Sequence, residues 1–131
     1  MEQHLLTPYG LRSLAPDDPQ YRSRFEGDPF SADSAYHQGT VWPWLSGPFI
    51  TAYLEVNGQS HSSRKQVEQW LSDLRRYLEN DGLGQLSEVL EGDPPHRAGG
   101  CLAQAWSVAE LLRALVEDVY SAAPAQAHAR L

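Results

Sequence analysis

An apolar stripe at strict helical spacing, Val67, Trp70, Leu71, Leu74, Tyr77 and Leu78, constrains the fold of this chain more than any other feature. Arg64, Lys65, Glu68, Asp73, Arg75 and Arg76 fall largely on the other faces, so residues 62–79 are expected to form an amphipathic helix with one buried side. Asp81-Gly82 supplies its stop, and Trp70, lying on the stripe, reads as core. Leu45, Phe49, Ala52, Tyr53 and Val56 repeat the spacing until Asn57-Gly58, with Pro48 expected to kink that helix or to confine its regular part to the residues after the proline. A third pattern, Leu102, Ala105, Trp106, Ala109, Leu112, Leu115, Val116 and Val119, predicts a helix over about residues 102–122. No strand alternation competes with these, so the expected class is all-α.

Residues 7–35 contrast with the helical part. Thr7-Pro8, Ala15-Pro16, Asp18-Pro19 and Asp28-Pro29 push the residue before each proline out of helical geometry, and an irregular segment with little helix is expected there. With 131 residues and 41% hydrophobic content the chain is long enough for one domain with a modest core. That domain is expected over residues 1–123, with residues 124–131, small and polar, as a flexible tail.

A net charge of -7 argues against a nucleic-acid partner, which would need clustered cations to displace counterions. A single cysteine, Cys101, excludes an intramolecular disulfide and reads best as a small buried hydrophobe. No apolar run is long enough for a bilayer, and residues 1–10 lack a basic segment followed by an apolar one; no membrane partner and a cytoplasmic location are expected. His4, His37, His61, His96 and His128 are dispersed, and no glycine-rich phosphate cradle is present, so neither a metal nor another cofactor is expected.

Two motifs carry chemistry. Tyr36-His37-Gln38-Gly39-Thr40-Val41-Trp42-Pro43-Trp44 and Gly100-Cys101-Leu102-Ala103-Gln104-Ala105-Trp106-Ser107 combine indoles with amide, imidazole and hydroxyl groups. Such a mixture suits a sugar, whose apolar ring face lies on an aromatic surface while polar groups satisfy its hydroxyls. Between them, Ser87-Glu88-Val89-Leu90-Glu91-Gly92-Asp93 places carboxylates in a Gly- and Pro-rich loop that can aim them into a cleft. Hydrolysis of a glycosidic bond takes two carboxyl groups, an acid on the departing oxygen and a base or nucleophile across the ring.

With Leu5-Leu6-Thr7-Pro8-Tyr9-Gly10-Leu11-Arg12-Ser13-Leu14 and the stretch from Gly100 through Arg113, these motifs resemble, in order and spacing, the C-terminal part of the catalytic domain of the glycogen debranching enzyme family, the amylo-alpha-1,6-glucosidases. The resemblance implies a partial (α/α)6-toroid-like array, here about three to four helices behind the loop-rich N-terminal segment. It implies inverting hydrolysis of α-1,6-linked glucose at glycogen branch stubs, with Glu88 as general base. His37, Gln38, Trp42, Trp44, Gln104, Trp106 and Arg12 are the implied substrate-binding residues. Trp44 reads equally as a core anchor, and Gln104 and Trp106 suit packing as well as binding. The family's general acid, an aspartate, lies upstream of the matched region; Asp28, Asp33, Glu91 and Asp93 do not match its motif, and Asp93 reads as a partner for Arg97. The expected partners are an α-glucan, such as glycogen or a branched oligosaccharide, and, through apolar surface left exposed, a second copy or the upstream catalytic segment. The competing reading is a non-catalytic helical α-glucan-binding or structural module.

Overall fold

Ser60, in extended backbone, accepts a hydrogen bond from the Ser63 amide at 3.2 Å and so starts the longest helix, His61–Asn80. In the computed structural model, which describes residues 2–120, Val67, Leu71, Leu74 and Tyr77 of this helix are buried and Trp70 and Leu78 pack at the margin of the core, as the stripe predicts. The tail expected at residues 124–131 lies outside the described residues.

Numbered in chain order, the helices are α1 (Glu2–Leu5), α2 (Pro29–Tyr36), α3 (Ser46–Asn57), α4 (His61–Asn80) and α5 (Ala105–Arg113), with a 3-10 turn at Pro43–Leu45 and a π-helical continuation of α5 at Ala114–Val119. Pro48 is the third residue of α3, in the first turn, where its missing N–H has no intrahelical role, so the helix runs through it. Ile50 and Leu54 form the buried side of α3, Phe49 and Tyr53 flank it against Trp70, and Val56 is exposed.

The chain is not all-α, and the toroid-like helical array expected from the resemblance is not what these residues form. Five antiparallel strands, β1 (Leu6–Thr7), β2 (Gly10–Arg12), β3 (Val41–Trp42), β4 (Val89–Leu90) and β5 (Ala98–Gly99), pair in chain order. The register sets Leu6 opposite Leu11, Leu11 opposite Trp42, Val41 opposite Leu90, and Leu90 opposite Ala98. Alternation becomes visible over about four to eight residues, and strands this short cannot display it. Val41 and Leu90 join Ile50, Leu54, Leu71, Leu74 and Leu111 in one core, so the sheet holds the loops beside it on the helical layer.

Two further expectations are corrected. α2 occupies part of the segment expected to be irregular: Asp28 accepts from the amides of Phe30 at 2.9 Å and Ser31 at 3.1 Å, and Pro29 takes the first helical position. Asp-Pro is here a helix start, with the restricted pre-proline residue serving as the cap. In and beside α5 the predicted stripe is split: Leu102, Trp106, Leu112 and Val116 are exposed, whereas Leu115 packs at the margin of the core and Val119 is buried, together with Ser107, Leu111 and Ala114, which the stripe did not include. Ser107 decides this, because its hydroxyl donates to the Ser87 carbonyl at 3.2 Å and its small size lets α5 approach closely. The wider π turn then shifts the phase so that Val119 follows Ala114 into the core.

Candidate functional site

Ser87 and Glu88 are anchored before their side chains act. The Gln104 amide donates to the Leu86 carbonyl at 2.8 Å, the Glu88 amide donates to the Cys101 carbonyl at 2.8 Å, and the Ser87 and Tyr77 hydroxyls share a hydrogen bond of 2.9 Å. The segment entering β4 is thereby tied to α4 and to the start of α5. From it the Glu88 carboxylate extends between two chain segments: Oε1 accepts from the Tyr36 hydroxyl at 2.5 Å, and Oε2 accepts from the Cys101 amide at 2.9 Å.

Those donors hold the Glu88 carboxyl below the usual carboxylate range, the Tyr36 hydroxyl most strongly and the Cys101 amide next; partial burial opposes them and the Gln104 side chain assists. Burial, together with the hydrogen bond and charge of Glu88, pushes the Tyr36 phenol up to about 12. Glu88 is therefore a carboxylate, and Tyr36 a neutral donor, throughout the neutral range.

Gly100 makes the approach of Cys101 possible. Its φ is 66°, and a Cβ there would lie 2.5 Å from Glu88 Oε2 and 3.1 Å from Glu88 Cβ. Gly100→Ala is expected to destabilise the fold by about 1–2 kcal/mol for the left-handed backbone alone, with the crowded carboxylate displaced in addition. Chemical denaturation, with the Cys101 amide followed by NMR, measures both; an unchanged midpoint and an unmoved amide signal would contradict the arrangement.

Tyr36 also meets an aromatic cluster. His37 lies parallel to Trp42 with 5.5 Å between centroids, while the Tyr36 ring is edge-on to Trp42 at 4.6 Å and to His37 at 4.8 Å. Trp106 approaches Trp42 at 6.3 Å and Trp44 at 5.9 Å. Ser13, His37, Trp42, Trp44, Leu45 and Trp106 line an open cleft of about 310 Å³, a concave and mostly apolar surface suited to a sugar ring. Trp42 is buried and donates its indole N–H to the Tyr36 carbonyl at 3.1 Å, so it serves the core and the cleft together.

The structure thus gathers His37, Trp42, Trp44 and Trp106 around the cleft; Glu88 and Gln104 do not line it, and Glu88 is joined to it through Tyr36, whose ring packs on Trp42 and His37. Gln38 and Arg12 make other contacts. Gln38 accepts from Arg22 Nε at 3.2 Å, and Arg12 donates to the Gly92 carbonyl at 2.8 Å, lining a neighbouring apolar cleft with Leu11 and Phe49. Asp93 accepts from the Tyr21 hydroxyl at 2.8 Å. Cys101 is exposed rather than buried, its backbone and not its side chain serving the carboxylate. Tyr36 and the Cys101 amide are the contributors that sequence reasoning missed. Tyr36 heads the first motif, but nothing in residue type marks it as the partner of a glutamate 52 positions away.

Among the described residues no group of three or more His, Cys, Asp or Glu side chains could hold a metal ion, and no helix is long and apolar enough to cross a membrane.

Residues 1–113 match the family model described as amylo-alpha-1,6-glucosidase. The glycogen debranching enzyme of Saccharomyces cerevisiae is 38% identical over 58 residues, which cover 40% of this chain and 4% of that protein. The chain spans a small fraction of the length of that relative.

Proposed function

Because the chain belongs to the amylo-alpha-1,6-glucosidase family, we propose that it supplies the general base and part of the sugar-binding wall of a glycoside hydrolase acting on α-1,6-linked glucose at glycogen branch stubs. The observation that carries this reading is a carboxylate held by two donors and joined, through the Tyr36 ring, to the Trp42 and His37 wall of an aromatic cleft.

In the proposed reaction Glu88 takes a proton from water as the water oxygen attacks the anomeric carbon. The bond to the leaving oxygen breaks from the opposite face, and that oxygen receives a proton from the acid, so the anomeric configuration inverts. Such a pair of carboxyl groups stands about 6.5–9.5 Å apart to admit the water. Trp44 and Trp106 would offer the stacking surface, with His37 at the cleft edge and Gln104 orienting Glu88.

The acid is assigned to an upstream aspartate outside this chain. Two of the local carboxylates have other work: Asp28 caps α2 and Asp93 bonds Tyr21. The exposed apolar ridge of Leu102, Trp106, Leu112 and Val116 supports contact with the segment that carries the acid.

The test is an NMR titration with a branched oligosaccharide bearing an α-1,6 glucose, following the indole signals of Trp42, Trp44 and Trp106. Saturable shifts are expected, with affinity lowered by up to about tenfold, or ~1.4 kcal/mol, in His37→Ala. Flat indole signals from a folded sample would refute sugar binding by this chain.

A further inference from the structure

A glutamate side chain has several rotatable bonds, and one on a loop leading into a two-residue strand has little around it to choose among rotamers. Glu88 is constrained from two directions instead, with the Tyr36 hydroxyl on Oε1 and the Cys101 amide on Oε2, from segments that do not touch in sequence. The Cys101 amide is part of the backbone after β5. The other donor is a side chain, and its own placement is the informative part.

Tyr36 ends α2 and is held on several sides. Its ring lies against Trp42 and His37, with Phe25 at 5.8 Å, and its carbonyl accepts from Thr40 Oγ1 at 2.7 Å and from Trp42 Nε1 at 3.1 Å. The aromatic groups that shape the cleft therefore also fix the ring whose hydroxyl grips the carboxylate. Phenylalanine would satisfy every ring contact. The hydroxyl adds the bond to Glu88, and that bond calls for a different explanation from packing.

We infer that Tyr36 is the positioning residue of the site, its hydroxyl holding Glu88 Oε1 at a set place relative to the Trp42 and His37 wall. The inference deepens the proposed function and rests on Glu88 being the base. The groups acting on Glu88 are neutral donors: Tyr36 from α2, the Cys101 amide from the turn after β5, and Gln104 at the start of α5. The nearby Cys101 thiol is engaged with the Ala103 carbonyl at 3.4 Å. Held by dipoles, the carboxylate keeps both its charge and its orientation without an ion pair that salt would screen.

Tyr36→Phe in this chain, with ¹³C-labelled glutamate and tryptophan indoles followed by NMR across acid pH, tests the inference. Tyr36 favours the charged form of Glu88, so its removal should move the Glu88 midpoint upward towards the ordinary carboxylate range while the indole signals stay in place. An unmoved midpoint in a folded variant would overturn the inference. The unmutated chain provides a second reading that does not depend on the variant folding: the Tyr36 ζ-carbon should report a step at the Glu88 midpoint, and a ζ-carbon blind to that step would also overturn it. A raised midpoint together with flat indole signals in the sugar titration would uphold Tyr36's hold on Glu88 and reject the sugar site. An unmoved midpoint with saturable sugar shifts would do the reverse.

Discussion

Glu88→Gln is expected to lower hydrolysis of α-glucosyl fluoride by about 10²–10⁴-fold, the span for loss of a general base. Fluoride leaves with the bonding electron pair and needs no proton from an acid, so this substrate isolates the role proposed for Glu88 from the acid supplied elsewhere. Glutamine keeps the length of the side chain but cannot take a proton from water. It also replaces one carboxylate oxygen with an NH2 group, so if the carbonyl oxygen keeps the Cys101 amide, the Tyr36 hydroxyl must turn from donor to acceptor. The rate of fluoride release, read beside the near-ultraviolet circular dichroism that reports the aromatic cluster, is the measurement. Equal rates from two equally folded proteins would remove Glu88 from the chemistry.

Leu74→Ala should destabilise the fold by about 2–5 kcal/mol, the cost of truncating a leucine in a core that cannot fully collapse around the vacancy. Leu74 is 2% exposed in the centre of α4, within the core that α3, α5 and the sheet complete. Whole-domain stabilities of about 5–15 kcal/mol make this a large share. Leu112→Ala is the internal control: Leu112 is 55% exposed, and surface changes of this kind stay within about ±0.5 kcal/mol. Urea midpoints for both variants decide the matter. A loss below ~1 kcal/mol at Leu74, or a comparable loss at Leu112, would contradict the observed core and the face that α5 presents to it.

How much of this was legible in the sequence depends on how many residues each feature uses. α4 was legible because 20 residues keep one phase, with charges on the far side. α5 misled because its exposed ridge is more apolar than its buried face, where Ser107 and Ala114 pack closely because they are small. The sheet left no trace because its strands are two or three residues long. Within the site, the family motifs pointed to Glu88 and to the tryptophans that the fold gathers, whereas the second donor on Glu88 is a main-chain N–H that every residue except proline carries. No side-chain pattern could have marked it.

β3 and β4 are neighbours in the sheet, yet α3 and α4 lie between them in the chain. Tyr36 and Glu88 are 52 residues apart, and the Tyr21 to Asp93 and Arg12 to Gly92 bonds span 72 and 80. Closing such loops costs entropy that local helix formation does not recover, so the bond from Tyr36 to Glu88 depends on the same long-range closure that pairs β3 with β4. The integrity of this bond therefore reports on contacts made across most of the chain and not on any one element.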